Sequence, residues 1–354
     1  MGCGASAQQA DKAGSSQIWK LEEEPHMMSA KQELLADLCS LPGSTSSWTH
    51  LGDQVFAFEH KSEAFAVQRI AKYDLSIRRN IRTEEQVFRQ KAAWQAISHP
   101  FVATCYKTLH DSHFCYFIFE FLQGGNLDHF SRGRRLDEST TRFIIGCLVA
   151  ALGYIHSQGW IHGNVNLESV MIDAEGYIKL GGFDFCKRLE YGDRCPWTSM
   201  PLDCTAPPEL AANKEFDHSV DWWALGTVAY VCLDANFPFP GVDVQQCYDD
   251  IVRKEVTYSE FFSKPTRNLL SGLLDKDPTK RLGSGINGAD NVRQHPWFKP
   301  LDWYLLLARR LKHTLTLKSN IQSRMDTSNF DDCGDGEQDL SGLYHNHPEL
   351  FKDF

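Results

Sequence analysis

A chain of 354 residues with 42% hydrophobic content can bury one large two-lobed core or two smaller ones. Its net charge of -10 argues against a nucleic-acid surface and against a polybasic membrane patch. Eleven cysteines, an odd count without Cys-x-x-Cys pairs or metal-ligand spacing, point to a reduced cytoplasmic setting rather than a disulfide framework.

In chain order, Met1-Gly2-Cys3-Gly4-Ala5-Ser6 comes first and fits an N-myristoylation pattern, with Gly2 as the acceptor after Met removal. One acyl chain holds a membrane only marginally, so palmitoylation of Cys3 would supply the second anchor and a peripheral membrane tether. The rival reading is a plain polar terminus. Residues 1–28 read as a polar arm. Ser29-Ala30-Lys31-Gln32 then has capping-box form, Leu34, Leu35 and Leu38 share a helical face, and Leu41-Pro42-Gly43-Ser44 breaks the helix.

Residues 48–122 alternate strand-like runs, 64–67 and 116–119 among them, with one helix over 84–97. Beyond Gly124-Gly125 the pattern turns helical, over 140–156, 219–233, 244–254 and 266–274. The apolar run 143–155 is too short to span a bilayer and reads as a buried helix. The last fifty or so residues are polar and acidic, loop-like over 331–337, and no internal repeat is visible. The expected organisation is an arm (1–47), a domain (48–298, sheet-rich over 48–122 and helical over 123–298) and a tail (299–354).

Several ordered pieces are more specific. They are Tyr154-Ile155-His156-Ser157, Ile172-Asp173-x-x-Gly176-Tyr177-Ile178, Asp221-Trp222-Trp223-Ala224-Leu225-Gly226, Thr279-Lys280-Arg281 and His295-Pro296-Trp297-Phe298. Asp326-Thr327-Ser328-Asn329-Phe330-Asp331-Asp332 and Phe351-Lys352-Asp353-Phe354 complete the series. Together they resemble the catalytic subunits of cAMP-dependent protein kinase, in the AGC class, from residue 48 onward. The resemblance implies an α+β bilobal protein-kinase fold, with a small β-rich N-lobe, a helical C-lobe and ATP between them. An AGC-type C-terminal tail would wrap that core, with Phe351 and Phe354 docked on the small lobe.

Phosphoryl transfer is mostly positioning and electrostatics, so the question becomes which charges remain. Where the resemblance places a glycine-rich phosphate turn, residues 48–54 offer one glycine and Asp53, which would repel phosphate. Gln68 stands for the strand lysine and Gln90 for its glutamate partner, and a hydrogen bond between them would keep the shape without the charge. Arg69 would point to the opposite face. Asn164 replaces the base aspartate, Asn166 the phosphate-contacting lysine, Ser169 the metal-binding asparagine and Gly182 the metal aspartate. Gly163 replaces the arginine that would read a phosphorylated Thr198, the activation-loop phosphosite candidate.

A general base alone contributes roughly 10²–10⁴ in rate. These losses imply a catalytically impaired pseudokinase, acting as scaffold or competitor for kinase partners. The alternative is an atypical serine/threonine kinase that transfers the ATP γ-phosphate with a rearranged metal site built on Asp184 and Glu168. Asp184 comes two residues late, and an extended segment would displace it by about 6–7 Å, too far without rebuilding the loop.

Val55, Ala66 and Met171, with Phe119 at the back wall, the hinge Glu120-Phe121-Leu122 and Phe330 closing from the tail, match an adenine sandwich. Adenine would stack there weakly and without Mg2+, or aromatic side chains would fill the space; no firm cofactor is expected. Glu209 with Arg281, and Asp221, match groups that hold the large lobe together. His162, Phe183, Trp94 and Cys105 match an inter-lobe column and read as core packing. Of three acidic substrate-reading positions Glu168 persists, while Asn126 and Val231 stand at the others. Trp197 and Tyr248 match an aromatic patch that binds regulatory subunits, which implies a protein partner of that kind; packing onto the lobe is the other reading.

Overall fold

The computed structural model describes residues 48–52, 54–77, 83–190, 192–196, 205–312, 315, 321–331, 351 and 354. Gly2, Cys3, the helix over 29–40, Asp53, Trp197 and Thr198 lie outside the described residues.

The first lobe is built on one antiparallel sheet. Its strands are β1 (Thr49–Gly52), β2 (Val55–His60), β3 (Glu63–Ala71), β4 (Cys105–His110) and β5 (Phe114–Glu120), in the order β1-β2-β3-β5-β4. Between β3 and β4 come helices α1 (Lys72–Ile77) and α2 (Glu84–Ala96). Alternation in β3 sorts its side chains: Phe65 and Val67 join Phe56, Phe58, Tyr116 and Ile118 in one apolar cluster, while Ala66 and Gln68 face the cleft. In register, Val55 lies opposite Gln68 and Ala57 opposite Ala66.

Helix α2 starts where Thr83 accepts the Gln86 N–H and the Gln86 side chain accepts the Thr83 N–H, a complete capping box. The 84–97 expectation therefore meets a helix one residue shorter, because Ile97 turns extended. The strands run longer than the apolar runs 64–67 and 116–119: β3 continues through half-buried Gln68 and Arg69 to buried Ile70 and Ala71, and β5 runs from Phe114 to half-buried Glu120.

The second lobe starts with α3 (Leu127–Ser131), capped by Asn126, whose side chain accepts the His129 N–H. Then comes α4 (Glu138–Ser157), capped by the Asp137 carboxylate at Ser139 N and Thr140 N. Residues 143–155 of α4 are buried without interruption, each large apolar side chain contributing about 1.5–3 kcal/mol. Four short strands follow in a region that read as largely helical: β6 (Trp160–Ile161), β7 (Val170–Ile172), β8 (Ile178–Leu180) and β9 (Lys187–Arg188). They pair as β6-β9 and β7-β8, and hold the cleft-facing loops between them.

The remaining helices are α5 (Pro208–Ala211), α6 (Ser219–Asp234), α7 (Val244–Arg253), α8 (Lys264–Leu273), α9 (Gly288–Arg293) and α10 (Trp303–Leu307). Every residue of α6 is buried, so its aspartate at 221 and serine at 219 serve the interior. The Arg281 guanidinium grips the Glu209 carboxylate through two bonds of 2.7 and 2.9 Å, and also donates to the carbonyls of Ser219 and Asp275. This pair ties α5 to the loop after α8 as the sequence led one to expect. All seven described cysteines are thiols, and burial raises the Cys105 and Cys115 thiols to about 12.

The tail bridges both lobes. Arg324 reaches the carboxylate of Glu63 at 2.9 Å, while Gln123 between the lobes donates to the carbonyls of Ser323 and Arg324. Asp331 receives Arg132 and His129 on the large lobe. Gly125 takes φ +71, and a side chain there would drive a Cβ to 2.1 Å from the Asn329 carbonyl oxygen, so glycine is required for the tail to lie this close. Farther on, the Phe351 ring is fully buried and stacks on Phe88 of α2, and Phe354 packs edge-on against Phe88 and Phe117. Both phenylalanines thus rest on small-lobe side chains.

Candidate functional site

Between the lobes lies a cavity of about 690 Å³, lined among others by Val55, Ala66, Gln68, Gln90, Phe119 and Met171. This volume falls in the range of roughly 300–1,000 Å³ typical of small-molecule sites. The cavity is open: Phe119 packs backward onto Trp94 at 5.0 Å and Phe117 at 6.3 Å, so the aromatic side chains frame the space rather than fill it. Phe330 stacks on Phe121 at 5.7 Å and closes one side, and Glu120 and Leu122 complete the connecting strand's wall.

The Gln90 amide donates to the Gln68 carbonyl at 2.9 Å, and Gln68 in turn donates to Asp184 at 3.3 Å. The expected amide pair is thus formed, and it ends on a carboxylate. On the sequence, residues 182–184 read as extended and Asp184 as out of reach; the structure differs. Residues Phe183–Phe185 wind into a 3₁₀ turn, which brings Asp184 to the cavity wall. Gly182 precedes that turn at φ +73, and a Cβ there would meet the Ser169 Cβ at 3.0 Å. A bare backbone fits this position with least adjustment of Ser169.

Across the cavity, the loop after β6 is a neutral hydrogen-bond web. Asn166 donates to the Asn164 side-chain oxygen at 3.2 Å, accepts the Ser169 N–H at 2.8 Å, and its own N–H goes to the Ser169 hydroxyl at 3.0 Å. These amide and hydroxyl groups bond to one another within the loop, whose Glu168 carboxylate also lines the cavity. Among the described residues no group of three or more His, Cys, Asp or Glu side chains is placed to hold a metal ion.

The loop is hung from Asp221 of α6. Its carboxylate accepts the backbone N–H groups of His162 at 2.9 Å and Gly163 at 2.8 Å, and pairs with His156 at 2.8 Å. Burial alone would raise the Asp221 pKa, but the bonds and charges of His156, with the other donors, hold it below the usual carboxylate range. His162 is fully buried, and desolvation lowers its pKa. Its Nδ1 accepts the Asn164 N–H and its Nε2 lies 2.7 Å from the Gly181 carbonyl, which fixes the neutral tautomer with the proton on Nε2. Phe183 lies between His162 at 4.7 Å and Trp94 at 4.3 Å, completing the inter-lobe column with Cys105 packed on the same core.

Several features were not anticipated from the sequence. Lys179 of β8 pairs with Glu120 at 2.7 Å, locking that carboxylate beside the connection between the lobes; only the fold reveals that β8 passes there. Asn126 serves as a helix cap and Val231 is buried, so neither offers a charged surface to a ligand. Thr83-Glu84-Glu85-Gln86 carried a readable capping signal that was not used. Tyr248 is half-buried against Trp223, Phe239, Ile251 and Leu274, so it packs onto its own lobe.

Comparison with known proteins gives these features a context. A protein kinase domain model matches residues 53–298. The chain is 31% identical over 276 residues to the human cAMP-dependent protein kinase catalytic subunit PRKX, covering 77% of this chain and 76% of that protein. It is 32% identical to human cGMP-dependent protein kinase 2 over 77% of this chain, and 30% identical to zebrafish (Danio rerio) serine/threonine-protein kinase N2 over 80%. Those two matches span only 35% and 29% of the relatives' own lengths.

Proposed function

The chain belongs to the protein kinase family, with kinases of the AGC class among its relatives, and we propose that it works by binding rather than by phosphoryl transfer. In this reading it is a pseudokinase that serves as a scaffold, or competes with active relatives for their protein partners. One observation carries the reading: Asp184 and Glu168 apart, the cavity end that would meet the phosphates and metal is built from Gln68, Gln90, Asn164, Asn166, Ser169 and Gly182. None of these side chains carries charge, takes up a hydroxyl proton at neutral pH, or balances a divalent cation.

A metal-bound nucleotide would supply the phosphoryl group and neutralise its developing charge. The residues present do not fit that role, so no transfer step is derived through it. What the loop does retain is its backbone course, fixed by Asp221 and the neutral His162.

A second reading has one observation in its favour. The 3₁₀ turn brings Asp184 to the cavity that Glu168 also lines, and these two carboxylates are the raw material of a rearranged metal site in an atypical serine/threonine kinase. The two readings separate in a phosphate-transfer assay with labelled ATP, Mg2+ or Mn2+ and a basic peptide. The expected result is no transfer above a no-protein control. Metal-dependent transfer that disappears in Asp184→Ala would overturn the binding-only reading and install the second one.

A further inference from the structure

We infer that the outer face of the small-lobe sheet is a docking surface for this chain's own N-terminal arm. The leucines of the helix expected over 29–40 lie across its rings.

The sheet separates two apolar layers. On one side Ile70, Cys115 and Phe117 join Leu75 of α1 with Val87 and Trp94 of α2 in the main core. On the other side Phe56, Phe58, Phe65, Val67, Tyr116 and Ile118 form a cluster of their own, each 6% exposed or less. All six come from β2, β3 and β5, and among the described residues no helix contributes to that cluster. Half-buried Trp48, Tyr106, Leu109 and Phe114 frame it. A sheet face this apolar is stable only under a second layer.

Trp48 indicates which segment supplies that layer. It immediately precedes β1, and its ring lies on this face, 5.7 Å from Phe58, 5.8 Å from Phe56 and edge-on to Tyr116 at 6.4 Å. The chain therefore enters the sheet from the aromatic side. Upstream, Leu34, Leu35 and Leu38 share one helical face, with residues 39–47 connecting them to Trp48. Extended, that connection spans about 30 Å, against roughly 19 Å across the strand spacings of the whole sheet. The leucines can reach every strand.

Charge agrees with this assignment. Arg69 follows Gln68 on β3, so its side chain emerges on the outer face. Its guanidinium lies 4.7 Å from the Phe56 ring centre and 4.8 Å from that of Phe114. Glu33 and Asp37 stand one helical turn apart beside the leucines and supply the opposite charge.

The rival cover within the chain is 332–350, and both of its ends are fixed elsewhere. Asp331 is held by Arg132 of the large lobe, and Phe351 stacks on Phe88 of α2, across the sheet from this face.

The test is photocrosslinking of the full chain carrying benzoylphenylalanine in place of Leu38. Peptide mapping should place the main crosslink within 55–67 or 114–118. Crosslinks to the large lobe, to 332–350 or to a second copy of the chain, or none at all, would overturn the inference. A second measurement uses Leu34→Ser, Leu35→Ser and Leu38→Ser together, again in the full chain. Amide hydrogen exchange over 55–60 and 114–118 should then speed up by roughly tenfold or more, with 143–155 of α4 unchanged. Exchange no faster than in the unaltered chain would also overturn the inference. The crosslinking variant changes one residue outside the two lobes, so it decides the matter even where the triple variant loses the small lobe.

Discussion

Two regions of the molecule treat charge in opposite ways. Beneath the cavity, the large lobe buries Asp221 against backbone N–H groups and Arg281 against Glu209, at 1% and 2% exposure for Asp221 and Arg281. At the cavity rim, Gln68, Gln90, Asn164, Asn166 and Ser169 present only amides and a hydroxyl. The buried charges hold backbone in place, and every one has a partner that would be stranded without it. The rim amides bond mainly to one another, with Gln68 also donating to Asp184. Charge persists where folding depends on it, whereas these five rim positions carry none.

The largest test of this contrast lies in the buried pair. Arg281→Met leaves the Glu209 carboxylate in the interior without its cation, and should cost about 3–5 kcal/mol in urea unfolding. A loss below 1 kcal/mol would show that the frame does not depend on its charges, and the comparison would collapse.

Next comes pH. Burial, helped by the neighbouring Lys179 charge, lowers His99 to about 3; burial, with His156 beside it, lowers His218 to about 4. An unfolded histidine titrates near 6.5, so between 6.5 and these values the unfolded chain binds the extra protons. Stability is therefore complete above pH 6.5 and falls as the pH drops toward 4. From pH 6.5 to 5 the loss should reach about 2 kcal/mol per histidine. Urea titrations at the two pH values read it directly, and His99→Gln or His218→Gln should flatten the dependence. An unchanged slope in both variants would assign the acid sensitivity to other groups.

The smallest effect is expected at the rim. Replacing Gln68 and Gln90 together by Leu removes both partners of the amide bond at once and should change stability by no more than about 1 kcal/mol. A cost near that of Arg281→Met would place the rim among the supports of the fold and erase the distinction.

Much of this contrast was legible before any coordinates. Glu209, Arg281 and Asp221 sit in short, ordered sequence pieces, and a group whose role is to hold neighbouring backbone can be placed from such pieces. The Gln68–Gln90 pair was equally readable, because the resemblance to the kinase family places both residues at the positions of a facing pair. Asp184 was not readable. Its direction depends on three residues curling into a 3₁₀ turn instead of running straight, a difference of a few dihedral angles that residue types at 182–185 do not dictate. Lys179 was equally hidden, since its partner Glu120 lies 59 residues earlier and only the packing of β8 brings them together. The short strands β6 to β9 carry two or three residues each, too few for any periodic signal.

The tail has a consequence for how the molecule is made. Gln123 waits 200 positions for Ser323, and Glu63 waits 261 for Arg324. The rings of Phe88 and Phe117 likewise stay uncovered until Phe351 and Phe354 leave the ribosome. Synthesis at about 5–20 residues per second leaves the small lobe with an exposed aromatic patch for roughly ten seconds or more. Such long-range closures are slow to form and vulnerable while open, so the small lobe of a nascent chain is a natural client for a chaperone that covers apolar surface.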